Sequence, residues 1–432
     1  MKIAFVGAGS YVFGPSVLTQ TYLEQRLASV HLALVDPDVE TIDLLAAAGR
    51  PLAGEQRLAT TITTHAERPE ALDGADFVLC SASPQTQRRF AMDAEIIETY
   101  IPGHLITEFG GVAGISSSLR QIAFIEAITD DMKRLCPDAW LLDAANPLLR
   151  VAQAAEENGI KTAGFCAVSL AAYSMLSEFL AGKRLDYPYD EGREKWQIAT
   201  AGLNHFAWLI EFRERSTGAD LLPVLRERLS AGDVSPNNPR SRLCLRETGF
   251  LLVPGDDHTH DFLTPPSSAP ETAEAPWHGD PGQRRQRHAL LGQIGAGISP
   301  WADLQQNEAW EKPVAFIAAL TGGKAAHFHL LNLLNAGRQI ANLPPQVFVE
   351  TPCEVAPGRV EPHRIALPQS VLPLCLRTAQ VTDSIVRAAR ARSVSLVYQA
   401  IQLDPTILDK AVGLRAIDSC LSAHADLLPA YS

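Results

Sequence analysis

Long apolar runs are missing from this chain: none free of charge approaches the ~20 residues that a bilayer span requires. A charged leader with a cleavage site is missing as well, since the N-terminus goes straight into a strand-like run, and a cytoplasmic location is the expectation. Basic tracts are absent. With 37 Lys and Arg against 49 Asp and Glu the formal charge is -12, and the acidity is not gathered in a tail, so neither nucleic acid nor a membrane is an expected partner. The seven cysteines, at 80, 136, 166, 244, 353, 375 and 420, are odd in number and free of C-x-x-C spacing, which excludes a disulfide frame and points to reduced thiols. No internal repeat is found. What remains, 46% hydrophobic and 20% charged over 432 residues, can bury a sizeable core in two domains or one large α/β unit.

The stretch that organises the rest is the first fourteen residues. An apolar run at 3–6 ends in Gly7-Ala8-Gly9 and leads into the helix-like Pro15-Ser16-Val17-Leu18. Short continuous apolar runs are characteristic of buried parallel strands. Gly7 permits the tight turn, Gly9 lets the backbone approach a pyrophosphate, and the amides opening the next helix would hold the negative charge, with Ser10 counted among the cofactor-binding residues. The third glycine of G-x-G-x-x-G falls on Val12, with Gly14 two places later. A second run at 30–35 stops at Asp36, a carboxylate placed for a ribose diol. That favours NAD over NADP, whose 2′-phosphate it would repel.

Alternation continues to about residue 165. Residues 39–53 read as helix, 75–80 as strand followed by the loop Ser81-Ala82-Ser83-Pro84, and 90–100 as helix. A short extended piece at 105–107 and a flexible loop at 110–114 enter a long amphipathic helix ending near Leu135. Strands at 139–143, ending in Ala145-Asn146-Pro147, and at 161–166 close the series. Strands alternating with helices predict an α/β fold, a Rossmann doubly wound parallel sheet over 1–168, followed by a mixed α+β domain over 169–432. Ligands of such sheets lie beyond the carboxyl ends of the strands, where Gly7, Ser81, Asn146 and Cys166 all fall.

The second half begins with the apolar run 196–212, interrupted by Asn204-His205, polar side chains that need partners if buried. The polar stretch Asp256-Asp257-His258-Thr259-His260-Asp261-Phe262 follows, then a Pro- and Ser-rich segment at 265–281 that reads as an extended loop or lid. The basic run 284–288 reads as the solvated face of a helix. A strand at 347–350, one or two helices over 371–402 and another over 407–428, with Leu408 among its apolar positions, complete the chain.

Taken in order, GAGSYVF, GADFVLC, LCPDAWLLDAANPL, GFC at 164–166, GLNHFAW at 202–208, NAGRQIANLP followed by VFVETP, and QAIQLDP resemble the family 4 glycoside hydrolases, which use NAD and are related in fold to lactate and malate dehydrogenases. The resemblance spans nearly the whole chain. It implies a glycosidase in which NAD takes hydride from C3 of a hexoside, a base removes the C2 proton, the C1 substituent is eliminated, water adds and the hydride returns. It also implies Mn2+ or another divalent metal on Cys166 and His205, Asn146 and Asn204 as substrate-binding residues, and a homodimer or homotetramer, with 169–432 as the substrate-binding and oligomerisation domain. Three places depart from the family's pattern, one being the loop Gly111-Val112-Ala113-Gly114, which lacks the usual Pro-Gly. Ala167 stands where an Asp or His is usual, and Phe262 replaces a tyrosine, which leaves Asp261 or His260 as the base. Trp208 and Gly218-Ala219-Asp220-Leu221-Leu222-Pro223 look more like the α-glucosidase, α-galactosidase and α-glucuronidase branch than the 6-phosphoglycosidases, so an unphosphorylated or acidic hexoside is expected. Arg88, with Arg89 beside it, would hold an anionic group. An NAD-dependent sugar or hydroxy-acid oxidoreductase and a diverged, non-hydrolytic family member remain as alternatives.

Overall fold

In the computed structural model, which describes residues 1–103, 106–263, 281–307 and 310–431, the apolar runs of the first third become strands covered on both faces. Six parallel strands, β1 Lys2–Val6, β2 His31–Val35, β3 Thr61–His65, β4 Phe77–Cys80, β5 Trp140–Asp143 and β6 Thr162–Gly164, pair in the order β3-β2-β1-β4-β5-β6. This is the doubly wound Rossmann order. Alternate residues of β1 serve opposite layers: Ala4 and Val6 pack with the helix Gly111–Leu135, while Ile3 and Phe5 pack with the helix Val39–Glu55. β3 escapes an apolar-pattern reading because TITTH sits at the sheet edge and buries only Ile62. The strand order reverses between β1 and β4, so the loops after them open the crevice.

The sheet continues past β6. β7 Trp196–Leu203, β8 Phe206–Glu214, β9 Leu252–Val253, β10 Ala326–Leu334, β11 Phe348–Ala356 and β12 Arg359–Pro362 add to it antiparallel, β6 meeting β10 and the order running on through β11, β7, β8 and β9. The run 196–212 is therefore a hairpin, and Asn204-His205 is its two-residue turn between the paired Leu203 and Phe206. Such turns take positive φ, and His205 has φ 58.

Two readings of the glycine-rich segments change. Residues 111–114 are not a loop but the first turn of the helix Gly111–Leu135. Gly110 is small because of close packing, since a Cβ there would lie 2.3 Å from the main-chain oxygen of Asp261. In the first turn the third-glycine role has moved to Gly14, where a Cβ would lie 2.6 Å from Ala8 O, and Val12 is left exposed. The expected lid, apart from Pro281, and Leu105 of the expected extended piece lie outside the described residues. The segment 371–402 forms two helices, Leu372–Ala391 and Val394–Leu403, which with Lys410–Ala423 fold back onto Gly111–Leu135. Leu408 precedes the last helix and is exposed. No helix of the described residues is long and apolar enough to cross a membrane.

Candidate active site

Cys166 leaves the end of β6 and His205 stands in the β7–β8 turn, and the two meet with Sγ 3.2 Å from Nε2. Burial pushes the Cys166 thiol well up, with the Glu311 and Glu350 carboxylates adding to it, and burial pushes the His205 imidazole well down, with His258 adding to it. The pair is thus a neutral imidazole facing a thiol. A divalent cation reverses that preference, because it displaces the thiol proton and accepts the imidazole lone pair. Metal bonds of about 2.3 Å to sulfur and 2.1 Å to nitrogen, at angles of about 90–109°, put the two donors about 3.1–3.6 Å apart. The observed separation fits one shared ion. All seven cysteines are free thiols, as expected.

A buried carboxylate supports this pair from behind. Glu350 of β11 accepts from Asn204 Nδ2 and Asn332 Nδ2, each at 3.2 Å, and from Ser169 Oγ at 2.7 Å. Asn204, expected to contact substrate, therefore commits its amide N–H to Glu350, while its Oδ1 is buried without a hydrogen-bond partner among the described residues. A second carboxylate comes from far along the chain: Glu311 Oε1 accepts the main-chain N–H of Ala167 at 3.3 Å. An acid therefore lies beside Cys166 although position 167 carries none, and burial raises its carboxyl above the usual range.

The polar stretch after β9 approaches from the other side. The His258 ring lies 4.2 Å from that of His205, and its Nδ1 is 3.4 Å from Asp261 Oδ2. Asp261 is buried, and its Oδ1 has no partner among the described residues. His260 is differently placed, its Nδ1 donating to the main-chain oxygen of Asp256 at 3.0 Å. Phe262 packs on Phe206 and Phe109, ring centroids 4.9 and 5.6 Å away, and Phe109 in turn lies 4.6 Å from the His205 ring. Glu108 accepts from Asn146 Nδ2 at 3.0 Å, which leaves Asn146 oriented by a carboxyl. Burial, then the charge of Asp261, push that carboxyl up to about 7. Glu108, His258, Glu311 and Glu350 were not singled out from the sequence. Only Glu350, a charge inside a mostly apolar strand, left a local signal.

At the cofactor end, Gly9 N–H donates to Asp36 Oδ2 and Asp38 N–H to Asp36 Oδ1, both at 3.0 Å, so the acid sits directly behind the glycine turn. Ser10 Oγ accepts from Phe13 N–H at 3.1 Å, and Ser81 Oγ donates to Gly7 O at 3.4 Å. The five expected cofactor residues thus converge. Arg88 is exposed at the start of the helix Thr86–Tyr100, with Nη1 3.4 Å from Gln85 Oε1. Arg89 cannot share its expected anion role, being buried and held by Asp426 and Gln85. Nor is the basic run a purely solvated face. Arg287 Nη1 donates to Tyr11 O at 2.6 Å, and Arg284 pairs with Asp38 at 3.5 Å, so the helix Pro281–Gly295 closes over the glycine turn.

Fold and site together define an α/β enzyme of the Rossmann type whose crevice carries a thiol–imidazole pair beside carboxylates. The chain belongs to the family 4 glycosyl hydrolases: the model described as "Family 4 glycosyl hydrolase" matches residues 2–181, and that of the family's C-terminal domain matches 200–407. It is 27% identical to the alpha-galactosidase of Bacillus subtilis (strain 168), over 100% of this chain and 99% of that one. It is 25% identical to an alpha-galacturonidase of the same organism, over 94% of this chain and 93% of that one. Its fold matches a 6-phospho-alpha-glucosidase from gut microorganisms solved with NAD and Mn2+, with a TM-score of 0.76 at 18% identity, covering 100% of this chain and 99% of that one.

Proposed function

We propose that this protein hydrolyses an unphosphorylated or acidic hexoside, with NAD lying along Gly7, Gly9, Ser10, Asp36 and Ser81 and a divalent metal of the manganese kind held by Cys166 and His205. The observation that carries the reading is the 3.2 Å approach of Cys166 Sγ to His205 Nε2 at the end of a dinucleotide crevice. Bound there, the two groups would supply a reversible hydride acceptor for C3 of the sugar, which acidifies the C2 proton, and a Lewis acid for its C2 and C3 oxygens. The chain supplies the proton transfers. Asp261, with one unpartnered oxygen, takes the C2 proton; Glu311, its carboxyl raised by burial beside Ala167, gives one to the departing C1 substituent. Asn146 and Asn204 orient the sugar, and Arg88 holds a C6 carboxylate where there is one. The names of the two Bacillus relatives support a substrate without a phosphate. Homodimers or homotetramers belong to the same proposal.

Cleavage of nitrophenyl α-galactoside or α-galacturonide with NAD, manganese and reductant, without net NADH, is the expected result. Stoichiometric NADH release would establish the oxidoreductase reading instead. Within this scheme Glu311→Gln should cost roughly 10²–10⁴ in rate on poor alkyl leaving groups and far less on nitrophenolate, which departs without a proton. Equal losses on both would remove Glu311 from the acid's role. Glu108 shapes the pH profile, since its carboxyl is protonated below about 7 and places no charge beside Asp261 there. Above that value a negative charge appears beside the base and favours proton uptake there, so kcat/KM should rise through about pH 7, and Glu108→Gln should flatten that limb. A limb unchanged in Glu108→Gln assigns it to another group.

A further inference from the structure

The strands β10, β11 and β12 of the antiparallel half carry a second set of metal-binding side chain types that this reaction does not use. His327 of β10 is the register partner of Glu354 of β11, and His363 follows directly on β12, whose Pro362 pairs with Cys353. Paired positions of antiparallel strands stand on one face with Cβ atoms about 4.5–5.5 Å apart. Topology therefore gathers the three on one surface. His327 Nδ1 lies 2.6 Å from Glu354 Oε1, His363 Nε2 lies 3.9 Å from the same oxygen, and one donor atom from each residue falls within 4.8 Å of the other two. The main chain at His363 is fixed independently, its N–H donating to Pro352 O at 2.8 Å. All three side chains are exposed, which leaves room for water in the remaining coordination positions.

Two imidazoles and a carboxylate on paired strands form a His2Glu set of the kind that binds borderline divalent ions such as zinc, whereas magnesium prefers an all-oxygen shell. The simpler account, a surface His–Glu ion pair, does not need the third ligand to converge on the same oxygen. We infer that His327, Glu354 and His363 form a divalent transition-metal site, composed of residues other than Cys166 and His205, that ties the edge strand β12 to β10 across β11.

Equilibrium dialysis of the metal-free full chain against zinc at neutral pH tests this without reference to catalysis. Cys166→Ser removes the thiol donor of the other pair, and this variant is expected to retain one zinc per chain. Adding His327→Ala and His363→Ala should abolish it, with the metal-free unfolding midpoint unchanged and the zinc-induced rise in that midpoint lost. If the double replacement unsettles the edge strand, His363→Gln alone should weaken zinc binding by about 10-fold or more, on the scale at which removing metal-site groups acts. Magnesium should not compete. Zinc binding by Cys166→Ser that is absent, or that is the same with and without the two histidines, would overturn the assignment.

Discussion

Cys166→Ser and His205→Asn are each expected to lower metal-dependent hydrolysis by roughly 10²–10⁴-fold, because Lewis-acid stabilisation is worth several kcal/mol and each 1.4 kcal/mol is about a decade in rate. Serine keeps the shape of the side chain but its hydroxyl does not ionise near neutrality, so the anionic donor is lost. At 205 the choice of replacement is dictated by the backbone. His205 sits at φ 58 in the hairpin turn, a region that asparagine tolerates better than alanine, so the asparagine variant removes the imidazole with less added strain. Both variants should bind manganese more weakly in dialysis while still binding NAD, since the glycine turn and Asp36 follow β1 and β2 and, among the described residues, share no hydrogen bond with this pair. Full hydrolysis by either variant at limiting manganese would exclude the pair as the metal site. Loss of NAD binding together with loss of the fold would show that the pair is structural.

The largest effect on stability is expected at Asp93, where Asp93→Ala should cost about 3–5 kcal/mol, the range seen when one partner of a buried ion pair is removed. Asp93 lies on the helix Thr86–Tyr100 with no exposed surface. Its Oδ2 accepts from Arg120 Nη2 at 2.7 Å, and its Oδ1 from Ser116 Oγ at 2.9 Å and lies 2.8 Å from Nε2 of the equally buried His424. Three separate segments therefore meet at one carboxylate. Burial by itself would raise the Asp93 carboxyl, but the His424 hydrogen bond and the Arg120 charge outweigh it and hold the group below the usual aspartate range. A lowered carboxyl stabilises the fold fully above its unfolded value, about 3.9, and the contribution fades as pH falls through the folded value. Asp93→Asn should accordingly unfold at lower denaturant near neutrality, with the difference from the parent narrowing under acid. Coincident denaturation curves for parent and variant at neutral pH would show that the network adds nothing.

The parallel half was legible because its signals are local. Each buried strand is an apolar run of a few residues, and Gly7, Gly9 and Asp36 announce their function by following one. β3 went unread because threonines at a sheet edge carry little burial. Asn204 and His205 were legible as an anomaly, two polar residues within an apolar run, although that they form a turn depends on β7 pairing with β8. Gly110 and Gly114 were misread for the opposite reason: small residues required by close contact with Asp261 and with Phe109 look like residues chosen for freedom.

By itself the sequence determined the order of elements, the nucleotide turn and the candidate thiol and imidazole, since each depends on a side chain and its immediate neighbours. Only the tertiary structure decided which carboxylates stand around them. Glu311 reaches Ala167 across 144 positions and Glu350 reaches Asn204 across 146, contacts created by β6 meeting β10 and β11 meeting β7. A buried acid is tolerable only where distant donors arrive to satisfy it, and the strand pairings that bring them leave no trace in local periodicity.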